Sequence, residues 1–225
     1  MIPLRDKVRV RRLPLVTVLL IIANIYVFLK EILLGPELKD VIFKFAVIPA
    51  AYLHPGAWTV SQAIANSISL VSSLFLHGGW FHLLGNMWYL WIFGDNVEDK
   101  LGHFRFLVFY ILCGLVGNWA HIVTNIHSNS PALGASGCIS GVLGAYLLLF
   151  PRAKIITLLP LFIFWTVAEI PAFFFLGFWF LIQFLNGFFT LPGSKESTGN
   201  VAWWAHIGGF TAGFLSAYFF RIRKR

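Results

Sequence analysis

The sequence predicts an all-α, polytopic membrane protein: a bundle of six transmembrane helices with both termini in the cytoplasm. Three observations carry that prediction. Of 225 residues, 58% are hydrophobic and 12% charged, where a soluble domain has about a quarter of its residues charged. Apolar runs of near-span length recur along the chain, cut by charged or turn residues. The basic residues also collect in alternate connections, the pattern of cytoplasmic loops.

Residues 1–12 form a basic leader with Arg5, Lys7, Arg9, Arg11 and Arg12. The first span, Leu13 to Leu29, follows it and is too long and wrongly flanked for a cleaved signal peptide. Leu34 to Gly79 is the one long connection. Its Pro36, Pro49, Pro55 and Gly56 predict short helices lying at the membrane interface. Further spans fall at about Trp80–Phe93, Phe104–Val123, Ser136–Phe150, Ala172–Phe189 and Val201–Phe220, and residues 13–225 read as one domain. Ile155–Ile170 is apolar but contains Pro160 and Glu169 and ends at Pro171. As a seventh span it would send the basic C-terminal tail outside, so it is assigned to an interfacial or re-entrant segment on the cytoplasmic side.

With the N-terminus in the cytoplasm, that side receives the leader, Lys100, Arg105, Arg152, Lys154, Arg221, Arg223, Lys224 and Arg225. Only Lys39, Lys44 and Lys195 fall in outer loops, and Lys30 ends the first span. The net charge of +8 is thereby accounted for by anionic lipid, and no nucleic-acid partner is expected. The expected location is the plasma membrane.

This topology has a chemical consequence. The second, fourth and sixth spans all run inward, and His82, Ser136 and His206 lie near their first turns, so all three converge on the outer side. The fourth span, 16 residues to Pro151, rises roughly 24 Å against roughly 30 Å of hydrocarbon, which sinks Ser136 below the outer surface. Gly137 with Gly141, Ser140 with Gly144, and Gly209 with Gly213 are each four apart, so small residues line one face of the fourth and of the sixth helix, where backbones can approach closely.

A serine hydroxyl becomes a nucleophile when a base takes its proton, and a neutral imidazole does so near neutral pH. Ser136 and His206 thus form a candidate catalytic dyad. No acidic residue is positioned as a third member. His82 and Asn86, one turn apart on one helical face, join the backbone N–H of Ser136 as a candidate oxyanion hole. A lone Ser in a Gly-rich helix is ordinarily a packing residue, but an intramembrane His is costly and tends to be functional. His121 and His127 are assigned to interface or loop, and Cys113 and Cys138 to small apolar filling. The run Phe173, Phe174, Phe175, Phe178, Trp179, Phe180 and Phe184 is read as a lipid-facing helix, with a lateral gate as the alternative.

The chain resembles the rhomboid intramembrane serine proteases in their short, six-span bacterial form. The resemblance rests on Met1-Ile2-Pro3-Leu4-Arg5-Asp6, His82-Leu83-Leu84-Gly85-Asn86, Gly94-Asp95-Asn96-Val97-Glu98, Gly134-Ala135-Ser136-Gly137 and Ala205-His206-Ile207-Gly208-Gly209 with Gly213. It implies Ser136 as nucleophile, His206 as general base, His82 and Asn86 as the oxyanion pair, transmembrane proteins as substrates, cleavage near the outer face, and no metal or cofactor. Two positions depart from the pattern. Ile68-Ser69 stands where many members carry Trp-Arg, about nine residues before His77. Ser140 replaces a Tyr that in some members lies beneath the catalytic His, so His206 must be supported from elsewhere. A catalytically inactive rhomboid-like protein that binds membrane clients is the alternative function, although such proteins usually lose the dyad. A solute transporter lacks support, because no inverted repeat is visible.

Overall fold

The computed structural model describes residues 1–161, 164–189 and 201–222; Lys195, Glu196, Arg223, Lys224 and Arg225 lie outside them. In chain order the elements are β1 (Ile2–Asp6), α1 (Leu15–Leu33), α2 (Leu38–Phe45), α3 (Val60–Ser72), α4 (Trp80–Leu101), α5 (His103–Thr124), α6 (Ser136–Leu149), β2 (Lys154–Leu161), β3 (Phe164–Pro171), α7 (Ala172–Phe189) and α8 (Trp203–Ile222). By length and composition α1, α5 and α7 are each long and apolar enough to cross a membrane, and α6 is a shorter apolar helix.

Helix α6 is the axis of the bundle, since every residue from Gly137 to Tyr146 is buried. Its small residues permit this. A Cβ at Gly209 or Gly213 of α8 would land on the carbonyl of Gly137 or Gly141, and one at Gly144 would land on that of Phe210. On the α5 side, a Cβ at Gly117 would lie 2.6 Å from the Ala205 carbonyl oxygen. Cys113 and Cys138 are free and buried and face glycines of the neighbouring helix, the filling role expected of them.

Helix α1 begins after Pro14 without a side-chain cap or an acidic residue in its first turn, which leaves its first N–H groups to find partners elsewhere. Glu98 of α4 supplies them. Its carboxylate accepts from Val16 N (2.8 Å), Thr17 N (2.7 Å) and Thr17 Oγ1 (2.7 Å), and lies 2.5 Å from His103 Nδ1. It is 1% exposed, so its partners must compensate for lost water. Gly94 lets α1 approach closely here, because a Cβ would sit 3.1 Å from Thr17 Oγ1.

The connection between α1 and α4 holds short helices, as expected: α2, α3 and three 3-10 turns. A reciprocal cap between Thr59 and Gln62 starts α3. Val60, Ile64, Ile68 and Val71 then stand exposed at helical spacing along one face.

The all-α expectation fails at one place. The Ile155–Ile170 segment, set apart from the spans in the sequence, is strand and not helix: β2 and β3 form an antiparallel hairpin, with Ile155 opposite Ile170 and Leu161 opposite Phe164. The leader adds β1 to it, Ile2 opposite Leu158 and Asp6 opposite Ile155. β-Branched and aromatic residues such as Ile155, Ile156, Thr157, Trp165, Thr166 and Val167 favour the pleated state, and the ladder satisfies backbone groups that Pro160 would orphan in a helix. The sheet is pinned to the bundle. Asn96 Nδ2 and Tyr146 OH both donate to Asp6 Oδ2 (2.8 and 2.5 Å), and Trp88 Nε1 donates to Pro3 O (2.7 Å). Glu169 pairs with Lys7 and with Lys154.

Replacing the buried cap should be costly. Glu98→Ala is expected to lower unfolding free energy in detergent by about 3 kcal/mol, the scale of orphaning two buried N–H groups. Glu98→Gln, which keeps one acceptor oxygen, is expected to lose about half as much. Denaturant titration of the three proteins measures both, and equal stability of Glu98→Ala and wild type would show that the cap does not hold α1.

Candidate active site

Three helix beginnings meet at one end of the bundle. Ser136 is the first residue of α6, and Ala135 before it provides no side-chain cap, so the first-turn N–H groups of α6 have no intrahelical partners. Ser140 Oγ donates back to Ser136 O (2.6 Å). The turn that feeds Ser136 is fixed by Gly134 N donating to Ser73 O (2.8 Å), and Asn118 Nδ2 holds Ser73 Oγ (3.0 Å) and Leu70 O (2.9 Å) in place.

Gly134 is required at its position for two reasons. Its φ of +127° is in the region that disfavours a side chain. A Cβ there would also lie 2.7 Å from His82 Nε2 and 3.7 Å from Ser136 Oγ. His82 of α4 therefore lies directly against the turn before Ser136.

A cavity of about 280 Å³ is lined by Ser136, Asn86 and His206 together with Tyr89 of α4 and Trp179 and Gln183 of α7. The structure thus brings together three of the four residues singled out in the sequence, with His82 beside them at Gly134. Ser136 and His206 share the cavity without a hydrogen bond to each other among the described residues. Such bonds are often long before substrate binds.

Asn86 is held from the loop before α4. Burial pushes the His77 imidazole down to about 4, with His82 adding to the effect, so His77 is neutral near pH 7. Its Nδ1 donates to Phe75 O (3.2 Å), which leaves Nε2 to accept from Asn86 Nδ2 (3.0 Å). One amide hydrogen of Asn86 is committed there, and the second remains. The backbone N–H of His77 donates to both carboxylate oxygens of Glu31 on α1 (3.3 and 3.2 Å). Helix α1 thereby fixes Asn86 through two intermediaries without lining the cavity.

His206 stands one turn into α8. Its Nδ1 lies 2.8 Å from Gln183 Oε1. The Trp179 and Trp203 rings are each centred 6.1 Å from the imidazole, at 33° and 87° to it. The support that Ser140 does not give thus comes from α7. Sequence reasoning missed Gln183, Glu31 and His77. Gln183 had a visible signal as an amide inside an otherwise apolar run, and Glu31 as a carboxylate just past the end of a span. Of the aromatic run on α7, Phe173, Phe174, Phe178 and Phe184 are exposed, whereas Phe175 is buried and Trp179 and Phe180 stack on Phe210 of α8, so only one side of the helix faces outward. His121 contacts Asn125, and His127 is exposed. Among the described residues no group of three or more His, Cys, Asp or Glu is placed to hold a metal ion.

Comparison with known proteins identifies the family of the chain. A rhomboid domain profile matches residues 65–223. The chain is 32% identical over 161 residues to Rhomboid protein 1, mitochondrial, of Saccharomyces cerevisiae, covering 69% of this chain and 42% of that one. It is 32% identical over 158 residues to RHOMBOID-like protein 5 of Arabidopsis thaliana, covering 69% and 45%. It is 34% identical over 98 residues to the human Presenilin-associated rhomboid-like protein, mitochondrial, covering 42% and 26%. The chain spans less than half the length of these relatives. The plasma-membrane location expected from the sequence is corrected here: the relatives whose names give a location are mitochondrial, and loop charge alone does not distinguish one bilayer from another. With the profile covering more than half of its residues, the chain belongs to the rhomboid family.

Proposed function

We propose that the protein is an intramembrane serine endopeptidase that hydrolyses peptide bonds of transmembrane protein substrates, with Ser136 as nucleophile and His206 as general base. The observation that carries this reading is the shared cavity of Ser136, Asn86 and His206, formed where α4, α6 and α8 all begin. The mitochondrial relatives support a mitochondrial membrane as its site. The six helices α1, α4, α5, α6, α7 and α8 are the spans, residues 13–225 form the protease domain, and both termini lie on the face opposite the cavity. The apolar side of α3 rests on lipid.

In this reaction Ser136 Oγ attacks the substrate carbonyl carbon while its proton passes to the His206 imidazole. Negative charge develops on the carbonyl oxygen, where the Ser136 backbone N–H, the second amide hydrogen of Asn86 and His82 are the donors. The imidazolium then protonates the leaving amine, and water, deprotonated by the same base, releases the acyl group from Ser136. A peptide carbonyl inside a helix is already hydrogen-bonded, so substrates must be spans that unwind readily beside the cavity.

Ser136→Ala and His206→Ala are expected to abolish cleavage of a model transmembrane substrate in liposomes, and Ser136→Ala to abolish labelling by a serine-reactive fluorophosphonate. Asn86→Ala should cost roughly 10- to 1000-fold in rate, because other donors remain. Near wild-type cleavage by Ser136→Ala would overturn the dyad. Membrane binding of client helices without cleavage by the wild type would favour the inactive, client-binding alternative.

The six-span reading is tested by single cysteines in a background lacking Cys113 and Cys138. Ser130→Cys, before α6, and Arg152→Cys, after it, should face opposite sides of sealed, uniformly oriented vesicles. An impermeant maleimide should label one of them before detergent and both afterwards. Equal labelling of the two in sealed vesicles would refute the span assigned to α6.

A further inference from the structure

Serine proteases in water commonly use a carboxylate to hold the catalytic histidine, and among the described residues none is hydrogen-bonded or ion-paired to His206. The polar partner of the imidazole is the neutral amide of Gln183, with Oε1 2.8 Å from Nδ1. Gln183 is buried, 7% exposed. Its helix is seated on α8 by Phe180 stacked on Phe210, their rings 4.5 Å apart, and by Gly187, where a Cβ would come 3.0 Å from Ile207. Trp179 and Trp203 flank the ring at different angles and restrict its rotation.

An amide oxygen only accepts, so the nitrogen facing it carries the proton. A neutral imidazole has a single N–H, and placing it on Nδ1 leaves the Nε2 lone pair free. In water the neutral histidine side chain prefers the opposite arrangement, with its proton on Nε2, which cannot act as a base at that atom. We infer that Gln183 is a positioning residue that holds His206 in its Nδ1–H form and so keeps Nε2 available to take the proton of Ser136. The inference rests on the dyad reading and goes beyond it, because it makes the state of the base depend on a neighbouring helix. It also explains why an amide serves here. A carboxylate at this position would have to be desolvated, whereas Gln183 selects the same tautomer without a charge. The exposed phenylalanines occupy the other side of α7, so displacement of that helix from α8 would release the tautomer.

The test uses the full chain in liposomes with a model transmembrane substrate, comparing wild type, Ser136→Ala, Gln183→Met and Gln183→Glu. Gln183→Met keeps side-chain length but not the acceptor, and should lower kcat by roughly 10- to 100-fold with KM little changed. Gln183→Glu restores an acceptor and should recover most of that loss. Its carboxylate would also favour the imidazolium, so the acid limb of the pH–rate profile should move upward by about one unit. In 15N spectra of histidine-labelled protein, with the His206 signals identified by their loss in His206→Ala, the proton should sit on Nδ1 in wild type and shift to Nε2 in Gln183→Met. If Gln183→Met does not fold, the pH shift in Gln183→Glu and the wild-type spectrum decide the matter. A full rate in Gln183→Met, an unmoved acid limb in Gln183→Glu, or a wild-type proton on Nε2 would overturn the inference while leaving the dyad standing. Full activity of Ser136→Ala would instead remove the dyad reading itself.

Discussion

The contact between α6 and α8 is made backbone against backbone, and the candidate site is built at its end. Gly209 over the carbonyl of Gly137, Gly213 over Gly141, and Gly144 against Phe210 bring the two axes closer than any side chain would allow. In a lipid environment such packing is a principal attraction between helices, since burying a leucine there gains little over leaving it in acyl chains. The same contact sets the register between Ser136 at the start of α6 and His206 one turn into α8. A single Cβ in this seam would meet the backbone of the facing helix and force the two helices that carry these residues apart.

Around that pair the protein encloses polar groups, several of which find their partners far away in sequence. Glu98 of α4 caps the first turn of α1, and Glu31 near the other end of α1 accepts from the backbone of His77. Helix α1 is thus tied at both ends by carboxylate-to-backbone hydrogen bonds, short at Glu98 and longer at Glu31. These are the contacts least visible to a reading of local periodicity. A buried carboxylate signals that it has a partner, but not which of the distant backbone groups that partner is.

That contrast explains what was legible in the sequence. The helices were readable because apolar length and bounding charge are local properties, and the candidate dyad because Ser136 and His206 sit in apolar runs beside glycine spacing that has one common physical use. The sheet was not readable. Lys154 to Pro171 has the apolar content of a membrane segment, and although β2 and β3 pair locally, the third strand of their sheet, Ile2–Asp6, lies some 150 residues earlier. Gln183 was passed over for a related reason. One amide in a phenylalanine-rich run announces a polar neighbour, yet His206 becomes that neighbour only once α7 is packed on α8. The charge pattern could not name the bilayer, because the rule that places basic loops is shared among membranes.

The arrangement of donors and acceptors in the cavity has one further consequence for its chemistry. Asn86 gives one amide hydrogen to His77, which is itself fixed by Phe75 O and by Glu31 through its backbone. The orientation of the remaining hydrogen is therefore set before any substrate arrives. The same holds for the N–H groups at the start of α6, whose direction is the helix axis itself, and for His82, lodged against Gly134. Donors that are already oriented lose no reorganisation energy when charge develops on a carbonyl oxygen, and in a low-dielectric surrounding their effect exceeds what the same groups would achieve in water. A site of this kind can be small and can manage without a charged residue at its centre. Its demands fall instead on the scaffold: α1, α4, α6, α7 and α8 must each be in place for one serine and one imidazole to face the same 280 Å³ of space.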